Sequence, residues 1–81
     1  MAEQINMFAT EIEDLIVKDV RRRAHCGEFK SIRVYKIADG QIPETNWNCV
    51  NNIDYGGADK RVCDEALREV VPRMQRQYRL V

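Results

Sequence analysis

Apolar residues recur at steps of three and four near both ends of this 81-residue chain, and this period most constrains its fold. The members of the first stripe are Ile5, Phe8, Ile12, Leu15, Ile16, Val20 and Ala24. The members of the second stripe are Val62, Cys63, Ala66, Leu67, Val70, Val71, Met74 and Tyr78. Residues with this spacing share one face of an α-helix, so the pattern predicts two amphipathic helices that must bury those faces.

The first stripe predicts a helix that begins near residues 4–6, because its earliest members already share the apolar face. Thr10 followed by Glu13 has the spacing of a capping box and offers a later start, at Thr10. Arginines and a histidine occupy much of residues 21–25, which suits the negative end of a helix dipole. Gly27 is then available as the left-handed residue that closes the helix.

The second stripe predicts a helix that starts near Asp59, whose carboxylate can accept hydrogen bonds from the first free N–H groups. Pro72 lies inside this helix and removes one backbone hydrogen bond. The stripe nevertheless keeps its phase from Val70 through Met74 to Tyr78. We therefore predict one continuous helix with a kink at Pro72, rather than two separate helices.

Two strands are predicted between the helices, over residues 31–38 and 46–54. The first is rich in β-branched and aromatic residues, and turn-forming residues separate it from the second. Asp39-Gly40 is a turn signal, and Pro43 excludes a regular central strand at its own position. The two strands are therefore predicted to form a hairpin with a long connecting loop.

Alternate residues of the second strand divide between its two faces. Trp47, Cys49 and Ile53 share one face, and Trp47 is predicted to be the largest buried side chain, with an indole N–H that needs a partner. The strand is also rich in asparagine, which is depleted in β-structure, so we predict an edge position or a bulge near Asn51-Asn52. The other aromatic residues predicted in the core or at its edge are Phe8, Phe29 and Tyr78.

These elements predict a single α+β domain over residues 1–81. The predicted order is helix–strand–strand–helix, with both helices on one face of an antiparallel β-hairpin. The other face of the hairpin would then stay exposed, and a lone two-stranded sheet is marginal in water. We predict that a second copy covers this face in a symmetric dimer, by strand pairing that extends the sheet or by face packing.

The first strand has apolar residues on both faces, so the sequence leaves its orientation open. The alternative outward sets are Arg33, Tyr35 and Ile37 or Ile32, Val34 and Lys36. The second strand contributes Val50, together with Asn48 and Asn52, to the outward face. The candidate interaction surface therefore consists of Arg33, Tyr35, Ile37 and Val50.

Charge and composition bear on partners and compartment. Thirteen basic and thirteen acidic residues cancel, so the net charge provides no reason to expect nucleic acid or an anionic membrane as a partner. No apolar stretch has the length of a signal peptide or membrane span, and we expect a cytoplasmic protein without a membrane partner. The three cysteines are an odd number, which favours reduced thiols over a disulfide framework.

Candidate catalytic and metal-binding residues are few. His25, Cys26, Cys49 and Cys63 are zinc-ligand types, but their spacing contains no C-x-x-C pair. The single histidine lies beside arginines, and no nucleophile motif accompanies it. The Gly56-Gly57 turn lacks the lysine and hydroxyl residue of a phosphate loop. We therefore predict no catalytic, metal or cofactor site, and a protein that is not an enzyme.

Arginine clusters near the helix ends support an alternative function. They comprise Arg21, Arg22 and Arg23 in the first helix and Arg73, Arg76 and Arg79 near the C-terminus. Basic strips beside aromatic residues bind nucleic acid, although the helix dipole by itself also favours cations at these positions. The favoured function is a non-enzymatic protein-interaction module that acts as a homodimer, and the alternative is a nucleic-acid-binding or regulatory protein.

Overall fold

The computed structural model describes residues 4–38, 40–42, 45–50 and 52–81, and it has the predicted α+β class. Its elements are β1 (Ile5–Met7), α1 (Ala9–Arg21), β2 (Val34–Lys36), β3 (Trp47–Cys49), α2 (Lys60–Gln77) and β4 (Tyr78–Leu80). The predicted helix–strand–strand–helix order is therefore wrong at both ends, where each helix is flanked by a short strand.

The two terminal strands pair with each other. β1 and β4 run parallel, with Ile5 opposite Tyr78 and Met7 opposite Leu80. The Val81 N–H extends the pairing by donating to the Met7 carbonyl oxygen at 3.0 Å. The predicted helix start near residues 4–6 is wrong, because the backbone there bonds to the far end of the chain. Ile5 fits the helical period only in its sequence spacing.

Helix α1 begins one residue before the alternative start at Thr10. Phe8 is its N-cap, in an extended conformation, and the Phe8 N–H donates to Glu11 Oε1 at 3.0 Å. At the other end, Arg22 caps the helix and His25 has the left-handed φ of 67°. Gly27, the predicted closing residue, does not have a positive φ, so that prediction is wrong.

Helix α2 follows its predicted course up to its last turn. The Asp59 carboxylate accepts hydrogen bonds from the N–H groups of Arg61 and Val62, at 3.0 and 3.3 Å, which confirms the predicted cap. Pro72 lies within one continuous helix, as predicted. Tyr78 was predicted in the helical stripe, but it takes an extended conformation because it opens β4 and pairs with β1.

Strands β2 and β3 form the predicted antiparallel hairpin, with Tyr35 opposite Asn48. They are shorter than predicted, although an isolated bridge between Ser31 and Asp54 continues the pairing towards the open end. Three residues of the predicted turn and bulge, Asp39, Pro43 and Asn51, lie outside the described residues.

The core lies between the two helices and the hairpin. Its buried apolar residues are Ile12, Ile16, Val20, Cys26, Phe29, Ile32, Val34, Trp47, Cys63, Ala66, Leu67, Val70, Met74 and Leu80. Helix α1 packs against α2 and β2, whereas α2 packs mainly against α1 and β4. The prediction that both helices cover one face of the hairpin is therefore not confirmed, since α2 packs against the terminal strand β4 and not mainly against the hairpin.

Trp47 and Asn46 join the hairpin to β4. Trp47 is completely buried, as predicted, and its indole N–H donates to the Tyr78 carbonyl oxygen at 2.9 Å. The Asn46 side-chain amide bonds to both backbone groups of Leu80: Nδ2 donates to the carbonyl at 2.7 Å, and Oδ1 accepts from the N–H at 2.9 Å. Asn46 thus takes the place of a neighbouring strand for one residue of β4.

Replacing Asn46 by alanine is expected to lower the free energy of unfolding by about 2–4 kcal/mol, because two buried backbone groups of Leu80 lose their partners. Asn52, which is exposed, is the matched control, and its replacement by alanine should change that free energy by less than about 0.5 kcal/mol. Urea denaturation followed by circular dichroism measures both. Equal effects of the two substitutions would contradict this role of Asn46.

Gly56 and Gly57 precede α2, and Gly56 requires the absence of a side chain. Its φ is 58°, and a Cβ there would lie 2.2 Å from the Glu28 carbonyl oxygen. Gly56→Ala is therefore expected to destabilise the fold by more than about 2 kcal/mol. Gly27→Ala, with no heavy atom within 4 Å of the added Cβ, should be neutral or stabilising by up to about 1 kcal/mol. Thermal and urea unfolding compare them, and a benign Gly56→Ala would refute the steric assignment.

Candidate interaction surface

The packing of α1 decides which face of the hairpin points outward. Ile32 and Val34 are buried, at 2% and 8% exposure, so they face the core, whereas Lys36, the third member of that alternative set, is exposed. Val50 donates its N–H to the Arg33 carbonyl at 2.9 Å, and Ile37 donates its own to the Asn46 carbonyl at 2.8 Å. Directly opposed and alternate residues share a face. The four predicted residues, Arg33, Tyr35, Ile37 and Val50, therefore lie together, and we call them the hairpin outer face.

The hairpin outer face remains accessible within the chain. Tyr35 is 44% exposed, Arg33 is exposed, and Ile37 and Val50 are partly exposed. Arg33 also lines a neighbouring surface depression of about 560 Å³, together with Tyr55. The face therefore combines an aromatic ring, a guanidinium group and two aliphatic side chains, a composition common at protein interfaces.

Side chains already occupy backbone groups along both edges of the hairpin. On the β2 edge, the Val34 N–H donates to Glu13 Oε2 at 2.9 Å. On the β3 edge, Gln75 Nε2 donates to the Trp47 carbonyl at 2.8 Å, and the Cys49 N–H donates to Asn48 Oδ1 at 2.8 Å. A strand from another molecule would have to displace these bonds. The open side of the hairpin is consequently its face.

Tyr55, beside this surface, is held in place by α2. Its hydroxyl donates to the Asp64 carboxylate, and its ring packs edge-on against Phe29 with the ring centroids 6.0 Å apart. Burial, reinforced by the hydrogen bond and negative charge of Asp64, raises the pKa of Tyr55 to about 12. The phenol is neutral near pH 7. Its contacts with Phe29 and Asp64 give Tyr55 a packing role.

A second exposed apolar group lies on the terminal strands. Ile5, Phe8 and Val81 are 59%, 65% and 54% exposed, and we call the adjoining Phe8 and Val81 the terminal patch. Phe8 and Val81 directly follow the paired Met7 and Leu80, which places them next to each other. Sequence reasoning missed this patch because Ile5 and Phe8 fit the helical stripe, and the prediction of Phe8 in the core is wrong. The Thr10–Glu13 spacing pointed to a later helix start, but the cap is formed by Phe8 and Glu11, and Glu13 instead accepts from the Val34 N–H.

Among the six candidate nucleic-acid contacts, Arg21, Arg23 and Arg73 bind named groups within the protein. Arg21 Nε donates to the Phe29 carbonyl at 2.7 Å, which holds the loop after α1. Arg23 pairs with Glu69 at 2.7 Å, and Arg73 pairs with Asp19. The Arg73–Asp19 pair connects α2 to α1, and the Arg23–Glu69 pair connects α2 to the turn after α1. These arginines therefore have a structural role that does not require nucleic acid.

The remaining candidates, Arg22, Arg76 and Arg79, are exposed. Arg22 and Arg73 line a surface depression of about 410 Å³ between the helices, which we call the interhelical groove. Its other lining residues are Leu15, Lys18, Asp19, Met74, Gln77 and Tyr78. The groove thus has three cationic side chains and one acid around an apolar floor.

The residues weighed for metal or thiol chemistry separate into two places. Cys26 and Cys63 are buried together between the loop after α1 and the start of α2, whereas Cys49 lies in the hairpin. Burial raises the pKa of Cys49 to about 11 and that of Cys63 to about 12, so both thiols are protonated near pH 7. In the part of the chain that the structure describes, no three His, Cys, Asp or Glu residues are grouped to hold a metal ion.

Neither helix of the described chain is long and apolar enough to cross a membrane. Comparison with protein families, with curated proteins and with solved structures finds no match for this sequence.

Proposed function

We propose that this protein is a non-enzymatic protein-interaction module that acts as a homodimer, with the hairpin outer face of each copy packed against that of the other. The observation that carries this proposal is the exposure of Tyr35 at 44%, in the middle of a two-stranded sheet whose other face is in the core. A lone two-stranded sheet is marginal in water, and covering its free face would stabilise it.

Face packing accounts for the geometry better than sheet extension does. Glu13 and Gln75 hold backbone groups at opposite edges of the hairpin, so strand pairing would break existing bonds. Packing one face on its symmetric copy leaves those bonds intact, and a two-fold axis would bring each Tyr35 close to the other copy's face. The zero net charge of the chain also means that two copies do not repel each other overall.

The proposal includes a cytoplasmic location. Cys26, Cys49 and Cys63 are all free thiols, and free thiols persist most readily in a reducing compartment. The protonated state of Cys49 and Cys63 supports the non-enzymatic part, because a thiol that is not ionised is a poor nucleophile.

Sedimentation equilibrium from 1 to 100 μM is the direct test, with a dimeric mass expected for the wild type. Tyr35→Asp should weaken dimerisation by at least about 30-fold, since it places a charge in the centre of the interface. Phe8→Asp is the matched control: it makes a similar change in the terminal patch and should leave the dimer intact. A strictly monomeric wild type, or dissociation by Phe8→Asp alone, would refute the hairpin outer face as the dimer surface.

We propose nucleic-acid binding as the second candidate function, supported by Lys18, Arg22 and Arg73 in the interhelical groove. Phosphate groups would have to replace Asp14 as the partner of Lys18 and Asp19 as the partner of Arg73. If all three contact phosphates, affinity for a labelled DNA duplex should fall about 40-fold between 50 and 200 mM salt. Arg22→Glu should weaken binding, whereas the same change at exposed Arg61, outside the groove, should not. Fluorescence anisotropy measures both, and salt-independent or absent binding would refute this candidate.

A further inference from the structure

Cys26 and Cys63 form a contact that neither candidate function uses. Cys26 lies in the loop after α1, and Cys63 is in the first turns of α2. Both side chains are completely buried in the same core cluster, and the Cys26 thiol is close enough to Cys63 to contribute to the raised pKa of Cys63. Two neighbouring thiols within a close-packed core cannot move apart without a local opening of that core.

Backbone contacts hold the same two segments together. The Asp59 N–H donates to the His25 carbonyl at 3.1 Å, so the residue before Cys26 is bonded to the N-cap of α2. The Cys63 N–H in turn donates to the Asp59 carbonyl at 3.0 Å. The loop after α1 also packs closely against the turn before α2, since a Cβ on Gly56 would lie 2.2 Å from the Glu28 carbonyl oxygen. The thiols therefore meet at a rigid junction, which raises their effective concentration toward each other.

We propose that Cys26 and Cys63 are a two-electron oxidation site, at which a hydroperoxide converts the two thiols into an intramolecular disulfide. One sulfur attacks the peroxide oxygen, the O–O bond breaks, and a sulfenic acid and one water form. The second sulfur attacks the sulfenic sulfur, the S–S bond forms, and the S–O bond breaks to release a second water. In balance, two thiols lose two electrons and two protons, and one hydrogen peroxide is reduced to two waters.

Burial determines how this site reacts. A thiolate is the attacking species, and the protonated, solvent-excluded Cys63 presents little of it near pH 7. Oxidation therefore requires transient opening of the loop, whose bonds to the rest of the protein include the Arg21 contact with the Phe29 carbonyl and the Arg23–Glu69 pair. Once formed, the disulfide links the loop covalently to α2 and prevents that opening.

Exposure of the full chain to hydrogen peroxide, followed by N-ethylmaleimide labelling in denaturant, tests the site. The reduced protein has three cysteines and should take three labels, whereas the oxidised protein should take one. Peptide mapping should place that label on Cys49 and find the Cys26 and Cys63 peptides linked. Dithiothreitol should restore three labels. Retention of three labels after oxidation, or a disulfide that includes Cys49, would overturn the proposal.

Serine variants make the assignment specific. Cys49→Ser should still form the disulfide, whereas Cys26→Ser and Cys63→Ser should each abolish it. Because either core variant could unfold, the wild-type peptide map decides the outcome independently of them. The oxidised wild type should melt about 10 °C higher than the reduced protein, owing to the covalent closure of a long loop. An unchanged or lower melting temperature would refute the covalent link as a clamp on α2.

The thiol pair is separate from the hairpin outer face, so these results are independent of the oligomeric state. A monomeric protein that forms the disulfide would refute the homodimer alone. A dimer without the disulfide would refute the oxidation site alone.

Discussion

The hydrogen bonds from Asn46 and Trp47 to β4 connect two small sheets that could not persist separately. Each sheet has only two strands of three residues, which is below the size that is stable alone in water. Asn46 satisfies both backbone groups of Leu80, and Trp47 satisfies the Tyr78 carbonyl from a fully buried position. Because β4 also pairs with β1, these bonds indirectly hold the first strand against the hairpin.

Side-chain hydrogen bonds to the backbone also determine which part of the hairpin surface is open to a partner. Glu13 and Gln75 occupy hydrogen-bonding groups at opposite edges of the hairpin, so a strand that paired at either edge would have to displace a side chain. On its outer face, Asn46 is buried against Leu80, whereas Arg33 and Tyr35 stay exposed, since α1 and the core take the side of Ile32 and Val34. The hairpin has side chains bonded to its backbone at both edges, and it has a partly exposed face with aromatic and aliphatic side chains. Such a hairpin is better suited to packing through that face than to the addition of a strand at its edge.

The arginines that suggest nucleic-acid binding also have an internal explanation. Arg23 and Arg73 form ion pairs with Glu69 and Asp19, respectively, and Arg21 donates to a backbone carbonyl. Glu69 and Arg73 have the spacing of a pair within one helix, but each instead pairs with a residue from the other helix or the turn after it. Such partners are close in space and distant in sequence, so helix spacing alone does not identify them.

Much of the fold follows from the sequence by itself, because its determinants lie within a few residues of each other. Helical period identifies α1 and α2, Asp59 marks the start of α2, and strand alternation brings Arg33, Tyr35, Ile37 and Val50 onto one face. Only the tertiary structure decided which hairpin face points outward, because that choice depends on the packing of α1.

The terminal strands were also decided by tertiary structure. Ile5 and Tyr78 fit the phase of the neighbouring helices, and a three-residue strand is too short to show a period of its own. Their strand conformation is stabilised by hydrogen bonds between opposite ends of the chain. No local pattern encodes such bonds, because neither segment has a partner until the core has brought the two ends together.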